Sequence, residues 1–350
     1  MKTAVAKKDW AVHPARFKVG VKRDGAKPVG PLKIPKDRTD LEIDLRGKAV
    51  RLTNLNKLFW PKLGITKRDL LQYYADVSAV LLPHLVNRAM VMKRYPNGAG
   101  EDFFFMKHAP TPRPSWLDIC SIDHDSGNVV DFPVVQDLAS LLYIVNLGCI
   151  DLNQWYATCD DVDRPDYLHF DLDPVAPANF NKVRDAALIV HEALDALKIP
   201  NYAKTTGSSG IHIYVPIVRG LQQKEVWTFA KALAHQLAAR HPRTLTAEYR
   251  IATRPANRVL VDYNQNAWGR TLASVYSVRP KPRATVSMPV TWQEVADGIR
   301  MEDFRIDNAV ERIRSLGDLW KPLLLKRGRF RLESLLEGMG TRRPVPSKSR

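Results

Sequence analysis

The stretch His169-Phe170-Asp171-Leu172-Asp173-Pro174 decides how this 350-residue chain is read. Residues two apart on a strand share a face. Asp171 and Asp173 therefore point one way, while Phe170 and Leu172 point into a core. Two neighbouring carboxylates repel unless a cation lies between them, and hard oxygen donors of this kind suit Mg²⁺ or Mn²⁺. The same spacing also occurs in glycosyltransferases and in turns where Asp caps backbone groups, so a third acid matters. Asp262 ends the apolar run Arg258-Val-Leu-Val-Asp262. An acid there is costly to bury unless it is paired or metal-bound; a salt bridge to a nearby arginine is the alternative. Three carboxylates on neighbouring strands are what a two-metal phosphoryl-transfer site needs.

Between the acidic strands lies Lys204-Thr-Thr-Gly-Ser-Ser-Gly-Ile-His212. Its glycines and small hydroxyls would let backbone N–H groups approach phosphate oxygens, with His212 donating to the same phosphates. An ordinary hairpin turn would read alike. Arg279 and Lys281 share parity in Tyr276-Ser-Val-Arg279-Pro-Lys281, on what reads as a strand over 273–279. They would bind a triphosphate or face solvent. His169 shares parity with the two aspartates and reads as structural.

Farther out, Thr66 and Asp69 form a capping box. Leu70, Leu71, Tyr74, Val77 and Leu81 follow on one helical face. Residues 89–107 read as two strands around Pro96-Asn97-Gly98, and 137–147 as a buried helix. The run 181–197 is an amphipathic helix with Val183, Ala187, Val190, Leu194 and Leu197 inward. A strand over 211–217, a helix over 222–240 and a helix capped by Thr291 and Glu294 complete the pattern. Strands and helices alternate without a regular βαβ period, which favours α+β with a mixed or antiparallel sheet.

Composition narrows the function. Hydrophobic residues make up 45% and charged residues 26%, ordinary for a globular protein. No apolar run approaches the ~18 residues of a membrane span, and the opening Met1–Trp10 has no apolar signal core, so a cytoplasmic, nucleoid-associated protein without membrane contact is expected. Cys120, Cys149 and Cys159 show no metal-ligand spacing and are expected as free thiols. The formal charge is +16. Residues 1–50 carry 13 basic and 6 acidic groups, and 312–350 carry 11 and 3, so the excess sits at the ends. We therefore expect a basic arm over 1–46, a catalytic domain over 47–316 and a basic tail over 317–350. A polyanion, nucleic acid first, is the expected partner; solvated tails are the alternative.

Together the segments resemble the polymerase domain of bacterial ligase D, in the archaeo-eukaryotic primase superfamily, from about Val50 to Ile299. Matching stretches include Asn54-Leu-Asn-Lys57-Leu-Phe-Trp-Pro61, Gly64-Ile-Thr-Lys67, Lys93-Arg94, Phe103-Phe-Phe-Met-Lys107, Asp171-Leu-Asp173-Pro174, Lys204-Thr-Thr-Gly207, Gly210-Ile-His212, Asp262-Tyr-Asn-Gln-Asn266 and Tyr276-Ser-Val-Arg279. Leu152-Asn-Gln-Trp155 also looks like the stand-alone primase-polymerases of the C type. The resemblance implies a two-lobed catalytic module on an RRM-like sheet. Asp171, Asp173 and Asp262 would be catalytic and hold two divalent ions, Mn²⁺ or Mg²⁺. Lys93, Thr206, Gly207, His212, Arg279 and Lys281 would bind the NTP or dNTP. Asn54, Lys57 and Lys67 fall on positions that bind the 5′-phosphate downstream of a gap, and Phe104 and Phe105 on a pair that stacks against the template. Of the alternating Phe103–Phe105, at least one is expected in the core.

The resemblance further implies a monomeric, template-dependent polymerase that fills gaps in broken DNA during non-homologous end joining, with a separate ligase and Ku as candidate partners. A two-metal nuclease and a non-catalytic DNA-end binder are the competing readings. Three departures bear on nucleotide selection: Asn153 where histidine is common, Thr206 where serine is usual, and Gln265 where arginine is common. The segment before Asp163 looks shorter than in ligase D, which favours gap filling over the joining of two ends.

Overall fold

The computed structural model describes residues 32–124 and 127–338. Residues 1–31, most of the expected basic arm, and 339–350 lie outside the described residues. The first strands are β1 (Leu41–Asp44), β2 (Ala49–Leu52), β3 (Leu58–Trp60) and β4 (Ile65–Thr66). Helix α1 (Lys67–Leu85) follows, then β5 (Met90–Arg94), β6 (Phe104–Met106), β7 (Ile119–Asp123), β8 (Val129–Pro133), α2 (Leu138–Asn146) and β9 (Cys149–Gln154). Next come β10 (Tyr167–Pro174), α3 (Phe180–Ala196), β11 (Tyr202–Thr205), β12 (Ile211–Pro216) and α4 (Gln223–Arg240). The chain continues through β13 (Leu245–Thr246), β14 (Val259–Asp262), β15 (Leu272–Ala273), β16 (Pro289–Val290), α5 (Trp292–Asp297), α6 (Ala309–Leu316), α7 (Lys321–Leu324) and α8 (Glu333–Gly338).

Two sheets frame the molecule. The larger runs β13-β14-β10-β12-β11-β16, and the smaller β15-β9-β5-β6. Only β13 pairs parallel, with β14; the other pairs in both sheets are antiparallel. The fold is the expected α+β with a mixed sheet. One face of the larger sheet carries Leu168, Phe170, Leu172, Ile211, Ile213 and Val261, all buried, and packs against α3 and α4. The opposite face carries the polar residues of interest and meets the smaller sheet.

Helix α1 starts at the Thr66–Asp69 capping box and buries Leu70, Leu71, Tyr74, Val77 and Leu81. Each fully buried apolar side chain of this size contributes about 1.5–3 kcal/mol. Helix α2 is capped by Asp137 and buried as expected, and Thr291 with Glu294 caps α5.

Three expectations are corrected. Leu197 is 42% exposed, because α3 ends at Ala196 and Leu197, its C-cap, leaves the helical face. The strand expected over 273–279 stops at Ala273: Tyr276 takes a left-handed φ of 59°, with its N–H on Ser287 O and its hydroxyl on Asp318. The third concerns the ends of the domain. Ile34 and Leu45 are buried in the main core, as are Trp320, Leu323 and Leu332, and Phe330 bridges to Ile217. The packed body thus extends beyond 47–316 on both sides. Isolated anchors such as Trp320 leave no periodic trace.

Candidate active site

Register assembles the site. Asp171 on β10 lies opposite Asp262 on β14 and opposite His212 on β12. His212 in turn lies opposite Lys204 on β11. Directly paired residues share a face, so Lys204, His212, Asp171 and Asp262 form one row across four strands. Asp173 stands two residues farther along the same face of β10. The sequence placed the three acids on a common face, and the structure brings them together.

The carboxylates sit in a site that works against their charge. Burial pushes Asp171 up to about 6. Asp173 is pushed up to about 7, first by the Asp171 carboxylate, then by burial and Asp262. Burial also raises Asp262, whose oxygens accept from the Asn264 N–H at 2.8 Å and the Gln265 amide at 3.0 Å. Gln265 thus steadies Asp262 as a neutral donor. Asp171 Oδ1 is buried without a hydrogen bond; His212 Nε2 lies 3.1 Å away. Among the described residues no three His, Cys, Asp or Glu side chains are already gathered into a metal cage. The fit to a hard cation rests on the mutual repulsion of three acids on one face and on the unsatisfied Asp171 oxygen.

The turn after β11 requires its glycines. A Cβ on Gly210 would stand 2.2 Å from Leu172 O. Gly207 has φ +65°, and a Cβ there would meet Arg279 Cγ at 2.6 Å. Thr206 Oγ1 accepts the N–H groups of Ser208, Ser209 and Gly210. This corrects an expectation: those amides hold the loop's own shape, and the Thr206 side chain is committed to them. The Thr206 carbonyl accepts from Arg279 at 2.6 Å.

Arg279 is the hub between the sheets. Its Nε lies 3.4 Å from Asp151 Oδ2 on β9, and its charge reaches Asp171, Asp173, Lys204 and His212. Lys93 on β5 lies opposite Asp151; burial lowers its pKa, Asp151 opposes that, and Arg279 and Lys281 add to it. Lys281 is exposed and stands on a turn rather than a strand, its N–H on Arg279 O. Lys93, Arg279 and Lys281 are thus gathered around Asp151 beside the acidic row, a cationic patch suited to a triphosphate.

A second cluster lies at β3 and β4. The Lys67 N–H donates to Lys57 O, and the Lys57 N–H to Asn54 O. Lys67 is buried, and burial, then Lys57, lowers its pKa to about 8. The exposed Lys57 ammonium donates to Asn97 at 3.0 Å. Phe103, Phe104 and Phe105 are 49%, 46% and 62% exposed, so none of the three enters the core. Lys93 Nζ sits 4.0 Å from the Phe103 ring centre, and Arg94 Cζ 5.1 Å from that of Phe104.

Sequence reasoning missed several residues. Asp151 is an acid inside the apolar run Cys149-Ile-Asp-Leu, the same signal that marked Asp262. Lys204 is fully buried and shares hairpin parity with His212. Asn266 spans β10 and the segment after β14, accepting from His169 N–H and donating to His169 O. His169 is buried between Tyr214 and Tyr156, and burial lowers it to about 3, in keeping with its structural reading.

Comparisons place this arrangement. Residues 66–320 match the family model described as LigD, primase-polymerase domain. The multifunctional non-homologous end joining protein LigD of Mycolicibacterium smegmatis is 32% identical over 280 residues, covering 79% of this chain and 36% of that protein. The bifunctional LigD of Bacillus subtilis is 31% identical, over 77% of this chain and 43% of its own length. The chain therefore spans well under half of these curated relatives. The solved polymerase domain of Mycobacterium tuberculosis ligase D in complex with DNA aligns with a TM-score of 0.74 and 28% identity, covering 79% of this chain and 98% of that one. A matched stretch of this length, carrying the acidic row and the loop beside it, makes the chain a member of the LigD primase-polymerase domain family.

Proposed function

We propose that this protein is a template-dependent nucleotidyltransferase that fills short gaps in DNA during end-joining repair. The observation that carries the reading is the register-aligned row of Asp171 and Asp262, with Asp173 beside it, facing the cations around Asp151. The reaction is in-line attack of a primer 3′-OH on the α-phosphate of an NTP or dNTP, with pyrophosphate leaving. Asp171, Asp173 and Asp262 would hold two divalent ions, Mg²⁺ or Mn²⁺, which when bound activate the attacking oxygen and neutralise charge on the phosphates. Lys93, Arg279 and Lys281 bind and orient the triphosphate. His212 donates to it from the floor of the site.

The second cluster supports gap recognition. Lys57, Lys67 and Asn54 converge at the start of α1, where a terminal 5′-phosphate would find charge-assisted donors and a helix N-terminus. The exposed Phe104 and Phe105 would stack on template bases. The names of the relatives place them in non-homologous end joining, and a ligase and Ku are the matching partners. Among the described residues no helix is long and apolar enough to cross a membrane.

The test is extension on a gapped duplex with Mn²⁺, with and without nucleotides. Incorporation directed by the template supports the reading. Degradation without added nucleotide would mark a nuclease instead, and binding without incorporation a DNA-end binder.

A further inference from the structure

We propose that Lys204 is a positioning residue that fixes the tautomer of His212, keeping the proton on Nε2, so that this N–H faces the catalytic acids and donates to a nucleotide phosphate. The last step rests on the polymerase reading; the tautomer does not.

The argument is a count of protons. Lys204 Nζ has three neighbours: His212 Nδ1 at 2.7 Å, Ala273 O at 2.9 Å and Ser287 Oγ at 2.6 Å. A carbonyl can only accept. Ser287 has spent its own proton on Thr205 O, at 2.9 Å, so its oxygen accepts from Lys204 as well. Two protons of the amine are thereby assigned. An ammonium has a third, which goes to His212 Nδ1 and makes that nitrogen an acceptor. The neutral ring then carries its proton on Nε2.

The opposite arrangement is internally worse. A neutral amine would accept from an Nδ1–H, leaving Nε2 as a bare lone pair 3.1 Å from Asp171 Oδ1. Two acceptors would face each other inside the protein. With Nε2 protonated, the same contact joins a donor to an acceptor. Burial works against the Lys204 ammonium, while Asp171 supports it. Three acceptors and the Trp320 ring, 5.8 Å from Nζ, surround it. Trp320 is itself fixed by its indole N–H on Ala203 O, so the wall behind Lys204 is rigid.

Burial of the lysine gives it no route to DNA or nucleotide. It is fully enclosed, and its effect passes through His212. A merely structural lysine would leave the imidazole protonation pattern alone, and that difference is measurable.

The experiment labels histidine ring nitrogens with ¹⁵N in the full chain, without metal, DNA or nucleotide, near pH 7. The His212 ring is assigned by its disappearance in His212→Asn. The expected parent spectrum is a neutral ring protonated on Nε2. In Lys204→Met, which keeps length but removes all three donors, the Nδ1–H form should appear. A parent ring protonated on Nδ1, or on both nitrogens, overturns the proposal, and so does an unchanged ring in the Met variant. If Lys204→Met does not fold, the parent spectrum alone decides.

The second readout is triphosphate affinity on a gapped duplex whose primer lacks a 3′-OH. Lys204→Met should weaken it about tenfold, the value of one hydrogen bond to a charged group, and adding His212→Asn should weaken it no further. Additive losses would overturn the route through His212. A parent with the Nε2–H ring that binds no triphosphate would overturn the polymerase reading and the donation step, while the tautomer lock would stand.

Discussion

The two sheets handle charge in opposite ways. On the larger, Lys204, His212, Asp171 and Asp262 are buried or nearly so, and strand register holds them in contact with one another. On the smaller, Phe104 and Phe105 stand in solvent with Lys93 and Arg94 lying against the aromatic run, and Lys57 and Lys67 cluster nearby without an ion pair among the described residues. The first arrangement is preorganised: its geometry is set before any ligand arrives, at the expense of shifted pKa values. The second is a surface whose aromatic and cationic groups are left available. Chemistry needs the first, because misplacement by an ångström is costly. A strand of varying sequence needs only the second, because stacking and phosphate contacts tolerate any base.

Variants that remove the buried acids should produce the largest effects. Asp171→Asn or Asp173→Asn is expected to lower incorporation by about three orders of magnitude, the scale of losing several kcal/mol of transition-state stabilisation. Affinity for gapped DNA should barely change, since carboxylates do not attract phosphate. Single-turnover extension and DNA binding, measured on the same variant, check this. A variant that extends normally would remove the acidic row from the reaction; one that loses DNA binding alike would make the row structural.

The same acids carry a pH signature. In the metal-free protein Asp171 and Asp173 titrate at about 6 and about 7, above the 3.8 of an ordinary aspartate. Between about pH 4 and 7 the folded state therefore binds more protons than the unfolded one. Stability must then fall as pH rises through that window. Mn²⁺ binds the deprotonated acids and should cancel the slope. Melting temperatures from pH 4.5 to 7.5, in chelator and in Mn²⁺, test this. A slope that rises with pH in chelator, or one that Mn²⁺ leaves untouched, would separate these acids from the metal.

The buried face was far more legible in the sequence than its surroundings. Period-two alternation in His169–Pro174 and the lone acid in Arg258–Asp262 marked both strands, because a charge inside an apolar run has few structural explanations. Register, however, is set between strands. Nothing local says that Lys204 meets His212, or that Asp171 lies opposite both His212 and Asp262. The turn at Tyr276 was hidden for a similar reason: its left-handed φ is held by Asp318, 42 residues on. Phe103–Phe105 misled in the other direction, since an aromatic run ordinarily signals a core. Family resemblance pointed to Asn54, Lys57 and Lys67, which the residues alone would have left as surface groups.

The cationic cluster at β3 and β4 should yield a smaller effect, confined to one kind of substrate. Lys57→Ala with Lys67→Ala is expected to erase a preference of about ten- to a hundredfold for gaps bearing a 5′-phosphate, the scale of one or two charge-assisted hydrogen bonds. Extension on an open template should be spared. Because Lys67 titrates at about 8, its charge is present below that pH and lost above it. The parent's preference should fade as pH rises from about 7 to 9, sooner than an ordinary lysine would allow. Rates on paired substrates differing only in that phosphate measure both effects. A double variant that keeps the preference would make these lysines plain surface charges.

The exposed aromatics should give the smallest effect and the sharpest test of the contrast between the sheets. Phe105 is the most exposed of the three and lies opposite Lys93, while Phe104 lies opposite Arg94. Truncating either ring leaves no cavity, so Phe104→Ala or Phe105→Ala should shift the melting temperature very little. If the rings stack on template bases, each variant loses about 1 kcal/mol or slightly more, roughly a fivefold weaker affinity for single-stranded template. That loss should not depend on base identity, since every base offers a face to stack on. It should persist in high salt, where contacts made through Lys57 and Lys67 are screened. Phe104→Trp or Phe105→Trp should restore binding, because a larger ring stacks at least as well, whereas Leu should not. Binding isotherms for a gapped duplex with a single-stranded template, taken at two salt concentrations, read all of this. A loss that vanishes in high salt would assign the effect to the cations beneath the rings, Lys93 and Arg94, with the phenylalanines serving only to hold them in place.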